Sequence, residues 1–340
     1  MANKLPWDNN WNRTYRITLG VREYTKTEII SEVIVFDAKL KVGTTTPTET
    51  SSSVIPSDAI AMDNLTDPRG FTFRFETQAV ASSSGGSSEK SNLVLYNLSD
   101  EAKRILFQPN CIVIIEAGYE GKLTLCYTGD VLNVTPMKNP PDTSYKIKLV
   151  SEGNAQRNEV INTHYDEGLS TKAVIEHMAL NFTGTSLATY GLNDYTDKYK
   201  TGGMAFTGSL IDNFDAFMKT QNLEYTFSNN KIYIIPYRIK GKDYEDFART
   251  NYTLSEDSIK NVSDTSDHSG KSSGDAQNKI KKLQINTYYI PVEIGQFITI
   301  PTAKALKGYS GTYIVKGRRV ILESKGNAWD VVLEVEELSQ

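Results

Sequence analysis

The 340-residue chain sets 37 Lys and Arg against 41 Asp and Glu, a formal net charge of -4, with 39% hydrophobic and 10% aromatic residues. That length implies two or three domains with sizeable cores. The acidic balance excludes a general nucleic-acid binder, which needs a basic stripe to displace counterions, though not a smooth acidic surface past which DNA slides.

The N-terminus, Met1-ANKLPWDNNW, lacks the basic-then-apolar order of a secretory signal. With no run of about 18 apolar residues, membrane insertion is not expected. Cys111 and Cys126 both fall in strand-like stretches and read as buried, reduced core residues of a protein made in the cytoplasm.

The first ~155 residues read as mostly β, by strand composition and alternation. Tyr15-RITL and Glu32-VIVFDAKLKV are rich in β-branched residues, and the Thr/Ser/Pro tract from Gly43 to Ser57 reads as a long loop. Phe71-TFRFE alternates, placing Phe71, Phe73 and Phe75 on one face. The Ser/Gly-rich tract from Ala81 to Ser91 is expected to be mobile. Asn92-LVLYN is a strand, and Ser99 caps a short helix from Asp100 to Phe107 that Pro109 stops.

From about 158 to 240 the pattern changes. Ser170 is an N-cap for a helix to about Phe182, with Leu169 and Val174 as a hydrophobic staple and Val174, Met178 and Phe182 as an apolar stripe. Ser209-LID opens a second helix bearing Leu210, Phe214, Phe217 and Met218 on one side. Leu223-EYTFS and Lys231-IYIIP, joined by Asn229-Asn230, read as a tight hairpin because asparagine tolerates positive φ. Beyond a polar tract around Ser263-DTSDHSGKSSGDAQ, β structure resumes at Lys279-IKKLQINTYYI.

A faint internal repeat runs through this order. Residues 111–153 and 296–338 each carry an apolar strand, a Gly-Tyr-x-Gly turn, a strand reaching a glycine and a last alternating strand. The turns are Gly118-Tyr119-Glu120-Gly121 and Gly308-Tyr309-Ser310-Gly311. Gly118 and Gly311 are expected to allow positive φ or close strand approach. Two unrelated hairpins sharing a common turn are the alternative.

Motifs for chemistry are scarce. His164, His177 and His268 have no partner at metal-ligand spacing. His177, beside an apolar stripe, reads as a core or rim residue. Neither cysteine opens a helix, where a dipole would lower its pKa. No P-loop, GxGxxG or G-x-S-x-G motif occurs. Glu116 and Glu120 read as solvated strand-end charges rather than a hydrolase pair. Trp7 and Trp11, in a polar context, are candidate partner-contact anchors, or rings tucked against their own domain. No catalytic, cofactor or metal site is expected.

Phe71-TFRF, then Asn92-LVLYNLSDEAKRIL, then Cys111-IVIIEAGYEGKLTLCYTGDV resembles the first domain of baseplate hub proteins of tailed, contractile-type bacteriophages. Leu283-QINTYYIPVEIGQFITI, Gly311-TYIVKGRRV and Trp329-DVVLEV are similar in order to their last tube-like domain. The resemblance implies a β-rich α+β fold with two tail-tube-like antiparallel β-barrels, at 1–157 and 246–340, and a small α+β domain inserted at 158–245. Mobile loops are expected at 43–57, 82–91 and 263–279. It further implies a structural, non-enzymatic homotrimer in the virion tail baseplate. Its duplicated barrels would form a pseudo-six-fold ring joining the hexameric tail tube protein to a trimeric central spike protein, beside other baseplate proteins, with a lumen for DNA in transit. A distal-tail-type protein and a tail-associated cell-wall hydrolase are the alternatives, and a glycan-binding module is a weaker one.

Overall fold

The computed structural model describes residues 5–8, 10–21, 59–65, 70–81, 87–151, 159–182, 185–188, 202–236, 251–266, 281–303, 306 and 308–337. The first β unit contains β1 (Arg13–Val21), β2 (Ile60–Asp63), β3 (Phe73–Val80), β4 (Ser87–Ser88), β5 (Lys90–Tyr96), helix α1 (Asp100–Leu106), β6 (Cys111–Tyr119), β7 (Lys122–Asn139) and β8 (Asp142–Val150). The middle unit contains β9 (Val160–Tyr165), α2 (Thr171–Leu180), β10 (Ser186–Ala188), β11 (Met204–Ser209), α3 (Leu210–Thr220), β12 (Leu223–Ser228) and β13 (Lys231–Pro236). The last β unit contains β14 (Asn251–Thr253), a 3-10 turn at Glu256–Ser258, β15 (Ile259–Asp264), β16 (Lys282–Tyr288), β17 (Phe297–Ile300), β18 (Gly311–Glu323) and β19 (Trp329–Glu337).

Local signals form these elements as their chemistry requires. Ser99, Ser170 and Ser209 each accept a hydrogen bond from a backbone N–H of the helix they open, satisfying a donor the helix leaves unpaired. Val174, Met178 and Phe182 are buried, as are Leu210, Phe214, Phe217 and Met218, so the two helices close over one core with β12 and β13. Asn229 and Asn230 both take positive φ in the β12–β13 turn. Along β3, Phe73, Phe75, Thr77 and Ala79 point inward while Arg74 and Gln78 face solvent.

The β units do not stand apart. One 13-stranded sheet runs in the order β15-β16-β19-β18-β3-β5-β8-β7-β6-β1-β2, with β14 and β17 as a side branch on β18. Strand β18 is the seam. One of its edges pairs with β19, while the other pairs first with β17 at residues 311–314 and then with β3 at residues 317–323. Lys316, an extra residue in the β18–β19 ladder, lies where that second edge changes partner, as a bulge that bends and twists a strand allows. A single hydrophobic core follows, from Trp7, Ile17 and Phe75 to Tyr313, Trp329 and Leu333. The two β units expected as barrels share, among the described residues, one sheet and one main core cluster, because β18 is long enough to serve both.

Some expectations fall outside the described residues: the strand at 32–42, the loop at 43–57, and residues 82–86 and 267–279 of the two polar tracts. The described remainder of the first tract is not a loop. Ser87–Ser88 forms a short parallel bridge to β12, and residues 90 and 91 open β5. Residues 263 and 264 of the second tract close β15. Strand β7 also runs through Pro136 to Asn139 and turns only at Pro140-Pro141.

Candidate functional site

Three chain units meet at Glu89. Its side chain is fully buried, and Arg318, 3% exposed, lies beside it in the last β unit. The Arg318 guanidinium donates to Glu89 Oε1 at 3.3 Å, to the Cys126 carbonyl at 3.2 Å and to the Val292 carbonyl at 3.3 Å. Glu89 Oε1 also accepts from Thr77 Oγ1 at 2.7 Å, and Oε2 from Ser228 Oγ of the middle unit at 2.6 Å and Ser151 Oγ at 3.5 Å. The Glu89 backbone N–H donates to Phe227 O at 3.0 Å, and its carbonyl accepts from Ser151 at 3.1 Å. A buried carboxylate survives only when paired and hydrogen-bonded, and here every unit supplies a partner. Burial opposes the charge of Arg318, yet Glu89 and the neighbouring thiol and phenol groups hold its pKa above the ordinary value.

The carbonyl of Cys126 is available because Cys126 is an extra residue in the β6–β7 ladder, between Tyr127 opposite Ile115 and Leu125 opposite Glu116. The same carbonyl receives Asn229 Nδ2 at 3.5 Å, and Asn229 Oδ1 accepts from Thr128 N at 3.1 Å. The tip of the middle hairpin is thus pinned against β7. An ion pair between Lys316 and Glu224 at 2.7 Å repeats the link on the seam strand. An apolar contact of Ala79, Tyr233, Ile235, Ile294, Phe297 and Ile314 fills the space between. The middle hairpin is thereby tied to both β units.

The two Gly-Tyr-x-Gly segments are placed differently. In the first, Glu120 and Gly121 both take positive φ and close a two-residue hairpin between Tyr119 and Lys122. Gly118 lies inside β6, where an added Cβ would sit 2.0 Å from Lys122 O and 3.0 Å from Trp7. Close approach, not φ, requires glycine there. In the second, Gly308 takes positive φ in a longer connection between β17 and β18, and Gly311 takes it as the first residue of β18, opposite Ile300. Tyr119 is buried, and its hydroxyl reaches the Trp329 carbonyl at 3.5 Å. Tyr309 is partly buried, its carbonyl accepting from Tyr313 at 2.7 Å.

The tryptophans separate. Trp7 is 2% exposed and packs on Tyr119 and Tyr289 at centroid distances of 5.3 and 6.2 Å, so it is a core residue rather than a contact anchor. Trp11 is 73% exposed. Burial pushes the Cys111 and Cys126 thiols up to about 12, so both stay protonated at neutral pH. His177 Nδ1 and the Tyr165 hydroxyl share a hydrogen bond at 2.7 Å, and His164 lies exposed beside Asp166. Among the described residues no group of His, Cys, Asp and Glu could hold a metal, and no helix is long and apolar enough to cross a membrane.

Neither Glu89 nor Arg318 stands out in sequence reasoning. The only available signals are a lone acid in a Ser/Gly tract and an arginine in phase with Val320 and Leu322 on the inward face of β18.

No protein-family model matches the chain, and no curated protein matches it in sequence. Solved structures do match. A component of the Escherichia coli type VI secretion system, described as structurally similar to tail proteins of bacteriophage T4, gives a TM-score of 0.55 at 10% identity over 79% of this chain and 74% of that one. The 43 kDa tail protein of prophage MuSo2 from Shewanella oneidensis gives 0.52 at 10% identity over 80% and 95%. The half-lidded PdpA-VgrG complex of Francisella gives 0.53 at 9% identity over 96% of this chain and 58% of that one. At these identities the likeness is one of fold.

Proposed function

From a fold shared with phage tail and type VI secretion proteins, we propose that the chain is the structural hub of a phage tail baseplate. In this reading three copies form a ring in the virion tail. Each protomer contributes two β units of like order, so three protomers offer six equivalents. A ring of this kind matches the hexameric tail tube on one side and a trimeric central spike on the other, and its lumen passes DNA.

The observation that carries this reading is the seam at β18. Units joined through one sheet and one core, and locked to the middle unit by Glu89 and Arg318, keep a fixed mutual orientation. An adaptor between a six-fold and a three-fold partner requires that rigidity, since equivalent contacts must repeat around the ring. The sheet face turned away from the core also supports a channel wall. Arg319 pairs with Glu76 and Arg74 with Glu323, while Lys146 and Lys148 are exposed. Interspersed signs give no sustained basic stripe to hold a polyanion.

Light scattering on the purified chain, and electron micrographs of it mixed with the tail tube protein, test the proposal. A mass of three protomers and particles capping tube ends are expected. A chain that stays monomeric and binds neither tube nor spike refutes it. On this reading the chain is not an enzyme, and cell-wall zymograms stay unclear.

A further inference from the structure

Directly opposed residues of antiparallel strands share a face, so the register shows which side chains stand together on the outer side of the large sheet. One row runs through Asp330 of β19, Ile321 of β18, Glu76 of β3, Asn92 of β5 and Lys148 of β8. The rows beside it carry Glu323, Arg74 and Lys146 on one side and Arg319, Gln78 and Lys90 on the other. On β3, β18 and β19 the charges of this face are compensated. Arg74 pairs with Glu323 at 3.4 Å, Arg319 with Glu76, and Asp330 with Lys260 of β15.

Compensation stops at β5 and β8. Lys148 lies between Asn92 and Asn133, Lys146 between Val94 and Thr135, and Lys90 between Gln78 and Val150. Every one of these opposed neighbours is neutral. All three lysines are exposed, and no described carboxylate pairs with any of them. Lys146 and Lys148 stand two positions apart on one strand, about 7 Å along it, with Ile147 buried between them. Like charges at this spacing repel, yet the same face supplies carboxylates to its other bases and none here.

We infer that this patch docks an extended acidic segment of a partner protein, with carboxylates at alternate positions facing Lys146 and Lys148. An extended chain presents every second side chain to one side, the same period that spaces the two lysines on β8. Lys90 takes a further carboxylate, and the amides of Asn92 and Asn133 offer both donors and acceptors to the segment's backbone. Nucleic acid fits less well. The patch spans two strands and meets ion-paired surface at β3, so no basic track continues for a row of phosphates. The inference stands on the charge pattern of the sheet and is independent of the ring reading.

Fluorescence anisotropy of a labelled peptide of alternating glutamate and serine, titrated with the full-length chain, tests it. The peptide is expected to bind in about 0.1 M salt, where surface charges act over ~10 Å, and to be released in about 1 M salt. Lys146→Glu with Lys148→Glu should weaken binding about tenfold or more, since two attractions become repulsions. Lys122→Glu with Lys219→Glu makes the same change in net charge at exposed lysines elsewhere and should weaken it less than about twofold. Should the reversed chain lose its native circular dichroism spectrum, Lys146→Gln with Lys148→Gln reads the same contact with a smaller loss. Absent binding, or equal weakening in the patch and control variants, overturns the inference. An oligothymidylate of equal charge that binds the patch as tightly as the peptide overturns the choice of a polypeptide. None of these outcomes reads the oligomeric state, so the hub reading is tested apart from them.

Discussion

Glu89 and Arg318, 229 residues apart in the chain, meet at 3.3 Å in the interior, where the carboxylate is closed off from solvent by groups from all three units. Removing one partner leaves the other charge buried and uncompensated, a loss of ~3–5 kcal/mol. Arg318→Leu and Glu89→Ala should each lower the denaturant midpoint strongly. The pair Glu89→Gln with Arg318→Met should be milder than either single change, since no unpaired charge remains. Equal or greater loss in the double variant would contradict this account.

Gly118 and Gly311 differ in why they are glycine. A side chain at 118 meets the Lys122 carbonyl at 2.0 Å, so Gly118→Val should destabilise by at least the upper end of the ~1–3 kcal/mol typical of overpacking. At Gly311 the φ of 146° is the difficulty and nearby space is ordinary. Gly311→Val should cost ~1–3 kcal/mol of backbone strain. Urea titrations of both variants would show the order.

The two N-terminal tryptophans should behave oppositely. Trp7→Ala removes a ring from the core and should cost ~3–5 kcal/mol. Trp11→Ala should stay within ~0.5 kcal/mol in the isolated protein. If Trp11 contacts a neighbour in the tail, its variant loses assembly while its melting curve is unchanged.

His177 should make the middle unit less stable in acid. Burial lowers its pKa from 6.5, and its Nδ1 shares a hydrogen bond with the Tyr165 hydroxyl at 2.7 Å. The folded chain therefore binds fewer protons at this site than the unfolded chain. The contribution to stability is whole above the unfolded value and falls away as pH drops through it. Thermal melts from pH 8 to pH 5 should show wild type losing more than His177→Gln. Parallel curves would dismiss the histidine as the cause.

Much of this chain is legible one element at a time. The three serine caps, the apolar stripes of α2 and α3 and the Asn229-Asn230 turn follow from bonds and faces within a few residues of each other. The Gly-Tyr-x-Gly repeat is legible only as an order of strands. Gly118 serves a close strand contact and Gly311 a positive φ at the start of β18, a difference invisible in the letters because a glycine is written the same whether φ or a neighbouring carbonyl demands it.

The sequence by itself determined the strand-rich character, the two helices and the hairpin of the middle stretch, and the core faces, since side-chain period is a local property of the backbone. Only the tertiary structure decided that β18 pairs with β3 and so fuses two β units into one sheet. It also decided that Trp7 is buried while Trp11 is not, and that Glu89 in a Ser/Gly tract finds Arg318. Pairing across such distances depends on which unpaired edges and uncompensated charges the whole fold brings together, and no window of neighbouring residues contains that information.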